Sequence, residues 1–331
     1  MSDVVPAEAI DTYLELALAG DHRSAVGFVL DLLHDATPAS AVITGLLAPA
    51  QCEVGERWHG GRLSTADEHL VTGVSQAALQ ALAAGSAPPE HNGLVLVACA
   101  EGDWHSLAAH MFAELLRAAG REVLYLGAST PAEDVSSFIQ RRRPEAVTVT
   151  CNLALSYLGT ARLVDAAHAH GVPVLAGGRA LDPHRATVLG ADGWAADSRA
   201  ALRVLDQWRD ARPSVNSQPV RLDRLALELE AQAPTIGARA YPVLESRFPP
   251  MASYDHRQRA RTLEDLVYIV RFSAAARLVD DPSVFDSFRS WLRDLLVARG
   301  VPEPALTAGI AAVTPFVAEV DEGASQVLAA S

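Results

Sequence analysis

The chain has no lysine: its 27 basic residues are all arginines, against 40 acidic residues and a net charge of -13. So acidic a chain is not expected to bind nucleic acid or an anionic membrane surface through charge alone. Three cysteines occur (Cys52, Cys99 and Cys151) without CxxC spacing, which excludes a disulfide framework and a cysteine zinc site. No N-terminal signal pattern and no run of 18 uncharged apolar residues is found. We therefore expect a soluble, cytoplasmic protein.

Half of the 331 residues are hydrophobic, which is enough for two or three domains with sizeable cores. Residues 1–88 carry apolar residues at three- and four-residue spacing, and the breaks between these stretches are short. This pattern predicts an antiparallel helical bundle with helices at 7–19, 21–34, 39–58 and 65–84. The stretch from Thr65 to Glu68 fits a capping box at the start of the last helix.

Residues 89–212, which follow the first proline of Pro88-Pro89, alternate between strand-like and helix-like patterns. The predicted strands are 94–99, 122–127, 146–151, 173–177 and 193–196. The predicted helices are 105–119, 131–142, 155–170, 182–189 and 198–211. Such alternation predicts a doubly wound parallel sheet with right-handed crossovers. No GxGxxG follows the first strand, so the pattern does not favour a dinucleotide site.

Ligands of such sheets bind beyond the carboxyl ends of the strands. Asp103 and His105 follow the first predicted strand, 151–153 follows the third, and Gly177-Gly178 follows the fourth. His105 can bind a metal through one ring nitrogen while Asp103 holds the other N–H and fixes the tautomer. A plain helix start, with Asp103 as cap and a solvated His105, is an equal alternative on these residues alone.

A second candidate cluster flanks the break at Gly60-Gly61. Trp58-His59 ends one predicted helix and Glu68-His69 opens the next, so an antiparallel turn brings these side chains to one end of the bundle. They could cover a flat, mostly apolar ligand. The alternative is a core tryptophan, a helix-capping glutamate and two exposed histidines.

Residues 213–219 form a polar linker, and residues 220–331 are again helical in pattern. The predicted helical stretches are 220–233, 237–246, 254–279, 282–299 and 303–329. A compact all-α region of this size is comparable to globin-like sensors. Its arginine-rich stretch could bind the carboxylates of a tetrapyrrole or be a solvated helix face; the candidate residues are Tyr254, His256, Arg257 and Arg261.

The stretch Asp103-Trp-His105-Ser-Leu-Ala108, then Cys151-Asn-Leu153, then Gly177-Gly178, resembles the cobalamin-binding domain pattern DxHxxG…SxL…GG. The resemblance implies that His105 is the lower ligand to cobalt and that Asp103 is its partner. It also implies a slot for the nucleotide tail, formed by Cys151, Leu153, Gly177 and Gly178. Ala108 stands where the pattern has glycine, and Cys151 where it has serine.

The spacing of Trp58, nine further residues and then Glu68-His69 resembles cobalamin-dependent photoreceptors of the light-sensing MerR type. That resemblance implies that Trp58, Glu68 and His69 cover the 5′-deoxyadenosyl group on the upper face of cobalamin. It also implies that His59 becomes the upper ligand once light has removed this group.

The domain order, with no DNA-binding domain before the bundle and a globin-like region after the sheet, resembles the photocobilins. This implies a non-enzymatic light sensor that binds adenosylcobalamin and biliverdin or a related linear tetrapyrrole. The bilin would not be thioether-linked, because no cysteine lies beyond residue 151. Light would change conformation and homo-oligomeric state. The output would pass through self-association or a separate partner, without direct contact with nucleic acid or membrane.

Two alternatives stay open. A corrinoid carrier of a methyltransferase system would share His105 and the tail slot, but it needs an open upper face, which Trp58 and His59 argue against. A haem-binding globin-like sensor with His256 as proximal ligand would leave the cobalamin motifs unexplained.

Overall fold

The computed structural model of the protein describes residues 5–6, 8–35, 37–84 and 93–330. These residues form two compact units. The first contains the described residues up to Asn152 together with Gly159–Gln218, and the second contains Leu153–Leu158 together with the described residues from Pro219 onwards. The predicted boundary at residues 88 and 89 lies outside the described residues, and the domain limits given above stay predictions.

The first unit begins with a helical bundle, as the sequence predicts. Its helices are α1 (Glu8–Leu18), α2 (His22–His34), α3 (Ala39–Val42), α4 (Ala48–His59) and α5 (Thr65–Ala84). Their apolar faces enclose a core that includes Tyr13, Leu14, Leu46 and Leu79, all fully buried. Burial stabilises the bundle by about 1.5–3 kcal/mol for each large apolar side chain.

One predicted helix of the bundle is interrupted. We expected a single helix over residues 39–58, but Ile43–Leu47, between α3 and α4, form a π-helical turn. Pro49 lies in the first turn of α4 and has no N–H to donate to a carbonyl of the preceding turn. The Ala48 N–H donates to the Ile43 carbonyl, five residues back. The ladder thus widens by one residue next to the position where proline removes a donor.

The cap at the start of α5 also differs from the expectation. The predicted capping box from Thr65 to Glu68 is wrong by one residue, because Ser64 and Asp67 form the reciprocal pair. The Ser64 N–H donates to the Asp67 carboxylate at 2.8 Å, and the Asp67 N–H donates to the Ser64 hydroxyl at 3.2 Å. Glu68 is therefore not used as a cap.

The predicted parallel sheet is confirmed. Its strands are β1 (Leu94–Cys99), β2 (Glu122–Tyr125), β3 (Ala146–Thr150), β4 (Val174–Gly177) and β5 (Gly193–Trp194), in the order β2-β1-β3-β4-β5. All four pairings are parallel. The helices that follow the strands are α6 (Ser106–Ala118), α7 (Ala132–Arg142), α8 (Tyr157–His168), α9 (Pro183–Val188) and α10 (Ser198–Asp210). The first four connect successive strands, and α10 follows β5. The strand order reverses between β1 and β3, which makes their carboxyl ends the expected ligand position.

Helix α6 links the sheet to the bundle inside the first unit. Met111 and Leu115 are buried within the bundle's hydrophobic core, and Leu107 packs against it. The loop between β1 and α6 therefore lies between two rigid elements, a buried strand and a helix fixed on both sides.

The second unit is all-helical, which confirms a helical C-terminal region, whereas its globin-like identity stays a prediction. Its helices are α11 (Arg224–Arg247), α12 (His256–Leu278), α13 (Ser283–Ala298), α14 (Pro304–Ala318) and α15 (Glu322–Ala330). The short segment Leu153–Leu158 packs with α11 and α12, and Tyr157 within it is 1% exposed.

Two helix limits in this unit differ from the predicted ones. Helix α11 runs unbroken through Pro234 and Pro242, whereas we expected separate stretches at 220–233 and 237–246. Both prolines are exposed, while a continuous apolar face of α11 from Ala226 to Leu244 is buried, so packing outweighs the lost hydrogen bonds. The last predicted stretch, 303–329, is divided, because buried Asp321 accepts the N–H groups of Gly323 and Ala324 and begins a new helix.

Within the described ranges, no helix is both long and apolar enough to cross a lipid bilayer.

Candidate functional site

The candidate site is built around the loop that joins β1 to α6. The Ala100 N–H bonds the Thr150 carbonyl at the end of β3, and a tight turn from Ala100 to Asp103 then directs the Asp103 side chain inward. Asp103 has no exposed surface. Its Oδ1 atom lies 2.9 Å from His105 Nδ1 and also accepts the His105 N–H at 2.9 Å. Because a carboxylate only accepts, Nδ1 carries the proton and Nε2 is the basic nitrogen of the ring.

The second oxygen of Asp103 is held by Asn152, directly after β3. The Asn152 N–H donates to Oδ2 at 2.6 Å and its side-chain amide does so at 3.3 Å, while the same amide donates to the His105 carbonyl at 3.2 Å. The sequence interpretation missed this role for Asn152. The sequence feature that could have indicated this role is the position of Asn152 after β3, which neighbours β1 where the strand order reverses.

The electrostatics of the pair follow from these contacts. Burial on its own raises the pKa of Asp103, but the hydrogen bonds from the His105 ring, the Asn152 N–H and the His105 N–H outweigh it, and the pKa lies below its usual range. The hydrogen bond to Asp103 raises the pKa of His105, burial lowers it, and the charges of Asp103 and Glu68 raise it further. Asp103 is thus an ionised partner for His105, and the His105 side chain is 59% exposed to solvent.

The predicted tail-slot residues Cys151, Gly177 and Gly178 lie together at the same edge. The Cys151 N–H donates to the Gly177 carbonyl at 2.9 Å, and the Cys151 carbonyl accepts the Ala180 N–H at 3.2 Å. Gly178 has a φ of +104°, and a Cβ there would lie 2.3 Å from the Cys151 carbonyl oxygen. Glycine is therefore required at Gly178 by the backbone of the third strand's loop, in addition to any role in ligand binding.

The fourth predicted slot residue, Leu153, is 39% exposed and belongs to the segment that packs with the second unit. The structure therefore groups Leu153 separately from the other three slot residues. Ala108, the residue in place of glycine, lies exposed in the first turn of α6.

The second predicted cluster lies where α4 ends and α5 begins. Trp58 Nε1 donates to the Thr65 hydroxyl at 3.2 Å, and His59 is half-buried beside it in sequence. Glu68 accepts the Thr72 hydroxyl at 2.9 Å, and its other oxygen lies 3.5 Å from His69 Nε2. Helix α5 packs against α6, and the charge of Glu68 contributes to raising the pKa of His105, so the start of α5 lies near the loop after β1.

The predicted C-terminal cluster is arranged differently. His256, Arg257 and Arg261 are exposed in the first turns of α12, and Arg261 pairs with Glu264 at 2.7 Å. Tyr254 precedes the helix, half-buried, and burial raises its pKa. These contacts match the solvated-face alternative as well as they match a ligand site.

A cleft of about 680 Å³ does occur in the second unit, between α13, α14 and α15. Arginines and apolar residues line it together; they include Arg247, Arg289, Arg293, Leu306, Ile310 and Leu328. None of the four residues predicted from the sequence is among the described residues that line this cleft.

Comparisons with known proteins match the two regions of the chain that contain the first two clusters. A domain family described as "B12 binding domain" matches residues 93–203, and a second family with the same description matches residues 9–83. The HTH-type transcriptional repressor CarH of Myxococcus xanthus is 34% identical over 182 residues, 53% of this chain and 60% of that protein. The methanol–corrinoid protein of Methanosarcina barkeri is 32% identical over 98 residues, 29% of this chain and 38% of that protein.

Among solved structures, the monomethylamine corrinoid protein of Methanosarcina barkeri matches with a TM-score of 0.53 at 20% identity, covering 60% of this chain and 98% of that one. At this identity the match shows the fold alone. The chain spans less than two thirds of either curated relative. The two matched stretches coincide with the bundle and the sheet that meet around His105, and together these findings support a cobalamin-binding role for them.

Proposed function

We propose that this chain is a light sensor that binds adenosylcobalamin between its bundle and its sheet. The observation that carries the proposal is His105, whose Nδ1 proton is fixed by fully buried Asp103 and whose Nε2 is left as a ligand atom. The donor set fits a corrinoid, because the corrin ring itself supplies four cobalt ligands and needs one imidazole from the protein.

The chain's own residues divide between the two faces of the ring. We propose that His105 is the lower ligand and that Cys151, Leu153, Gly177 and Gly178 make room for the nucleotide tail. On the upper face, Trp58, Glu68 and His69 would cover the adenosyl group. When bound, adenosylcobalamin supplies a cobalt–carbon bond that green or blue light breaks. His59, at the end of α4, would then supply the imidazole that becomes the upper ligand.

The output would be a change in self-association, passed on directly or through a separate partner protein. α4 and α5 carry the upper-face residues, and α6 carries both His105 at its start and Met111 and Leu115 in the bundle core. A shift of the bundle at His59 would therefore move packed helices rather than loops. On this proposal the protein is cytoplasmic and is not an enzyme.

A carrier function in methyl transfer is the second candidate, favoured by the similarity to a methanol–corrinoid protein. The carrier would use the same His105 but would leave the upper face accessible to donor and acceptor enzymes. A haem sensor with His256 as ligand has less in its favour, because His256 is exposed at a helix start.

We further propose that the second unit binds a linear tetrapyrrole such as biliverdin. The residues predicted for it from the sequence are Tyr254, His256, Arg257 and Arg261. The cleft between α13, α14 and α15 is the stronger candidate position, since arginines at the rim of an apolar cleft suit a ligand with propionate groups.

The test is to purify the full chain in the dark with adenosylcobalamin and biliverdin, and to record absorbance and elution volume before and after green light. We expect cobalt bands that change with light and a shift in elution volume. Cobalamin bands unchanged by light, with methylcobalamin bound equally well, would favour the carrier. The absence of a red absorption band would remove the bilin proposal alone.

A further inference from the structure

A chain of polar side chains runs from Glu68 into the core of the bundle. The Thr72 hydroxyl lies 2.9 Å from Glu68 Oε1 and 3.0 Å from Gln51 Oε1. The Gln51 amide nitrogen lies 2.8 Å from the Ser75 hydroxyl, which in turn lies 2.8 Å from the Tyr13 hydroxyl. The chain thus joins α5, α4 and α1 in one continuous series of contacts.

The helical spacing explains how these groups meet. Glu68, Thr72 and Ser75 are four and three residues apart and so lie on one face of α5. Gln51, on α4, bridges Thr72 and Ser75 on that face. Tyr13 and Ser75 are fully buried among aliphatic side chains, and burial raises the pKa of Tyr13, so its hydroxyl keeps its proton.

The stability of the bundle alone does not require this series of hydrogen bonds from Glu68 to Tyr13. A buried hydrogen-bonded pair contributes little more than an apolar pair of the same shape, although leaving one partner unpaired is costly. A phenylalanine at Tyr13 and an alanine at Ser75 would suit the surrounding core. The polar groups therefore point to a role for Glu68, the residue at which the series of hydrogen bonds reaches the surface.

Counting the available hydrogen atoms shows that the hydrogen bonds of this series all donate in one direction. Thr72 has one hydroxyl hydrogen and stands between two oxygen acceptors. If the Gln51 amide turns by half a turn, every group is satisfied: Tyr13 donates to Ser75, Ser75 to Gln51, Gln51 to Thr72, and Thr72 to the Glu68 carboxylate. Every donor of the series then points toward Glu68, and Thr72 donates the hydrogen bond that holds Oε1 of the carboxylate.

We propose that Thr72 and Gln51 are positioning residues that hold Glu68 toward the upper ligand and make the site selective for an adenosyl group. This rests on the function proposed above. A carboxylate held in place can accept hydrogen bonds from the two ribose hydroxyls of an adenosyl group, whereas a methyl group offers it nothing. Through Ser75 and Tyr13, the same contacts tie the position of Glu68 to the packing of α1.

The test uses the full chain in the dark and compares dissociation constants for adenosylcobalamin and methylcobalamin, from absorbance titrations. In Thr72→Val, which keeps the shape but removes the hydroxyl, we expect the preference for adenosylcobalamin to fall about tenfold, the value of one charge-assisted hydrogen bond. Thr72→Ser should restore the preference. Tyr13→Phe, at the buried end of the hydrogen-bonded series, should reduce the preference for adenosylcobalamin about threefold.

Thr44→Val is the matched control, because the Thr44 hydroxyl, in the same bundle, donates to the Ser40 carbonyl one turn back. An unchanged preference in Thr72→Val, with both cobalamins bound by the wild type, would overturn the positioning role and leave the proposed function standing. A fall in thermal stability without a change in the preference would do the same. Failure of the wild type to bind either cobalamin through His105 would overturn the proposed function itself.

Discussion

Asp103 and Asp255 each precede a histidine at the start of a helix, and their carboxylates make different contacts. Asp103 is fully buried, and its carboxylate holds the ring of His105. Asp255 is exposed, and its carboxylate accepts the Gln258 N–H at 2.7 Å while the Gln258 side chain accepts the Asp255 N–H at 2.9 Å. The first aspartate holds a histidine ring in addition to backbone N–H groups, whereas the second caps the backbone of its helix.

The difference comes from what precedes each pair. Asp103 follows β1, an interior strand of the sheet, and its second oxygen accepts the N–H of Asn152 from the loop after the neighbouring strand β3. Asp255 follows a short 3-10 turn, Pro249–Ser253, and forms a capping box that includes no contact with His256. A histidine beside an aspartate is thus a ligand candidate only where the fold buries the carboxylate.

The largest effect is expected from removing each histidine in turn. His105→Ala should abolish histidine coordination of cobalt and weaken cobalamin binding by about a hundredfold or more, because the only proposed lower ligand is lost. His256→Ala should leave the cobalamin spectrum and affinity unchanged. Absorbance spectra and equilibrium dialysis with hydroxocobalamin measure both. Equal losses in the two variants would show that the comparison between the sites is mistaken.

A smaller effect is expected at the aspartates. Asp103→Asn presents an amide to Nδ1 of His105 and to the Asn152 N–H, so one of these donors meets another donor. We expect cobalamin affinity to fall about 10–100-fold, the usual cost of losing the partner of a metal-bound imidazole. Asp255→Asn is the control, since asparagine caps a helix as well as aspartate does, and binding by that variant should not change.

A third aspartate, Asp265, sharpens the contrast with Asp103. Burial and the neighbouring charge of Glu264 raise the pKa of Asp265 to about 6, against a smaller opposing effect of Arg261. Asp103 has no exposed surface but accepts hydrogen bonds from four donors, two on His105 and two on Asn152, and its pKa is lowered. Hydrogen bonding, rather than burial, decides the sign of the shift in this pair.

This shift predicts how stability depends on pH. Between about pH 4 and pH 6, the folded chain keeps a proton on Asp265 that the unfolded chain has released, so stability falls as pH rises through this window. The loss is about 1–2 kcal/mol after allowing for partial exposure. Asp265→Asn should therefore be more stable than the wild type at pH 7.5 but not at pH 4, as measured by thermal unfolding. Asp286→Asn, on the exposed face of α13, should show no such difference.

The smallest effect is expected for the helix cap itself. Asp255→Ala should lower the stability of the chain by about 1 kcal/mol through loss of the capping box, as seen in urea unfolding, and should leave cobalamin binding unchanged. A loss of bilin absorbance in this variant would instead indicate that the start of α12 contacts a ligand.

The sequence was a good guide where local pattern and topology agree. The alternation of strands and helices predicted the parallel sheet, and the placement of His105 beyond β1 follows from it. Asn152 and the chain from Glu68 to Tyr13 were missed, because they depend on contacts between residues 49 and 62 positions apart. Helix α11 was divided wrongly at Pro234, because local propensity does not register a buried face that continues past this proline. The ligand assignments stay predictions.

The segment Leu153–Leu158 has a practical consequence for dividing the protein. The chain leaves the first unit after Asn152, contributes these six residues to the second unit, and returns at Gly159. A fragment that stops in the linker at residues 213–219 would keep Ala154 and Tyr157 but lose α11 and α12, on which the segment packs. The linker is therefore a poor place to truncate the protein, because the two units are interleaved along the chain. The truncated first unit would expose the apolar side chains of Leu153–Leu158 directly after Asn152.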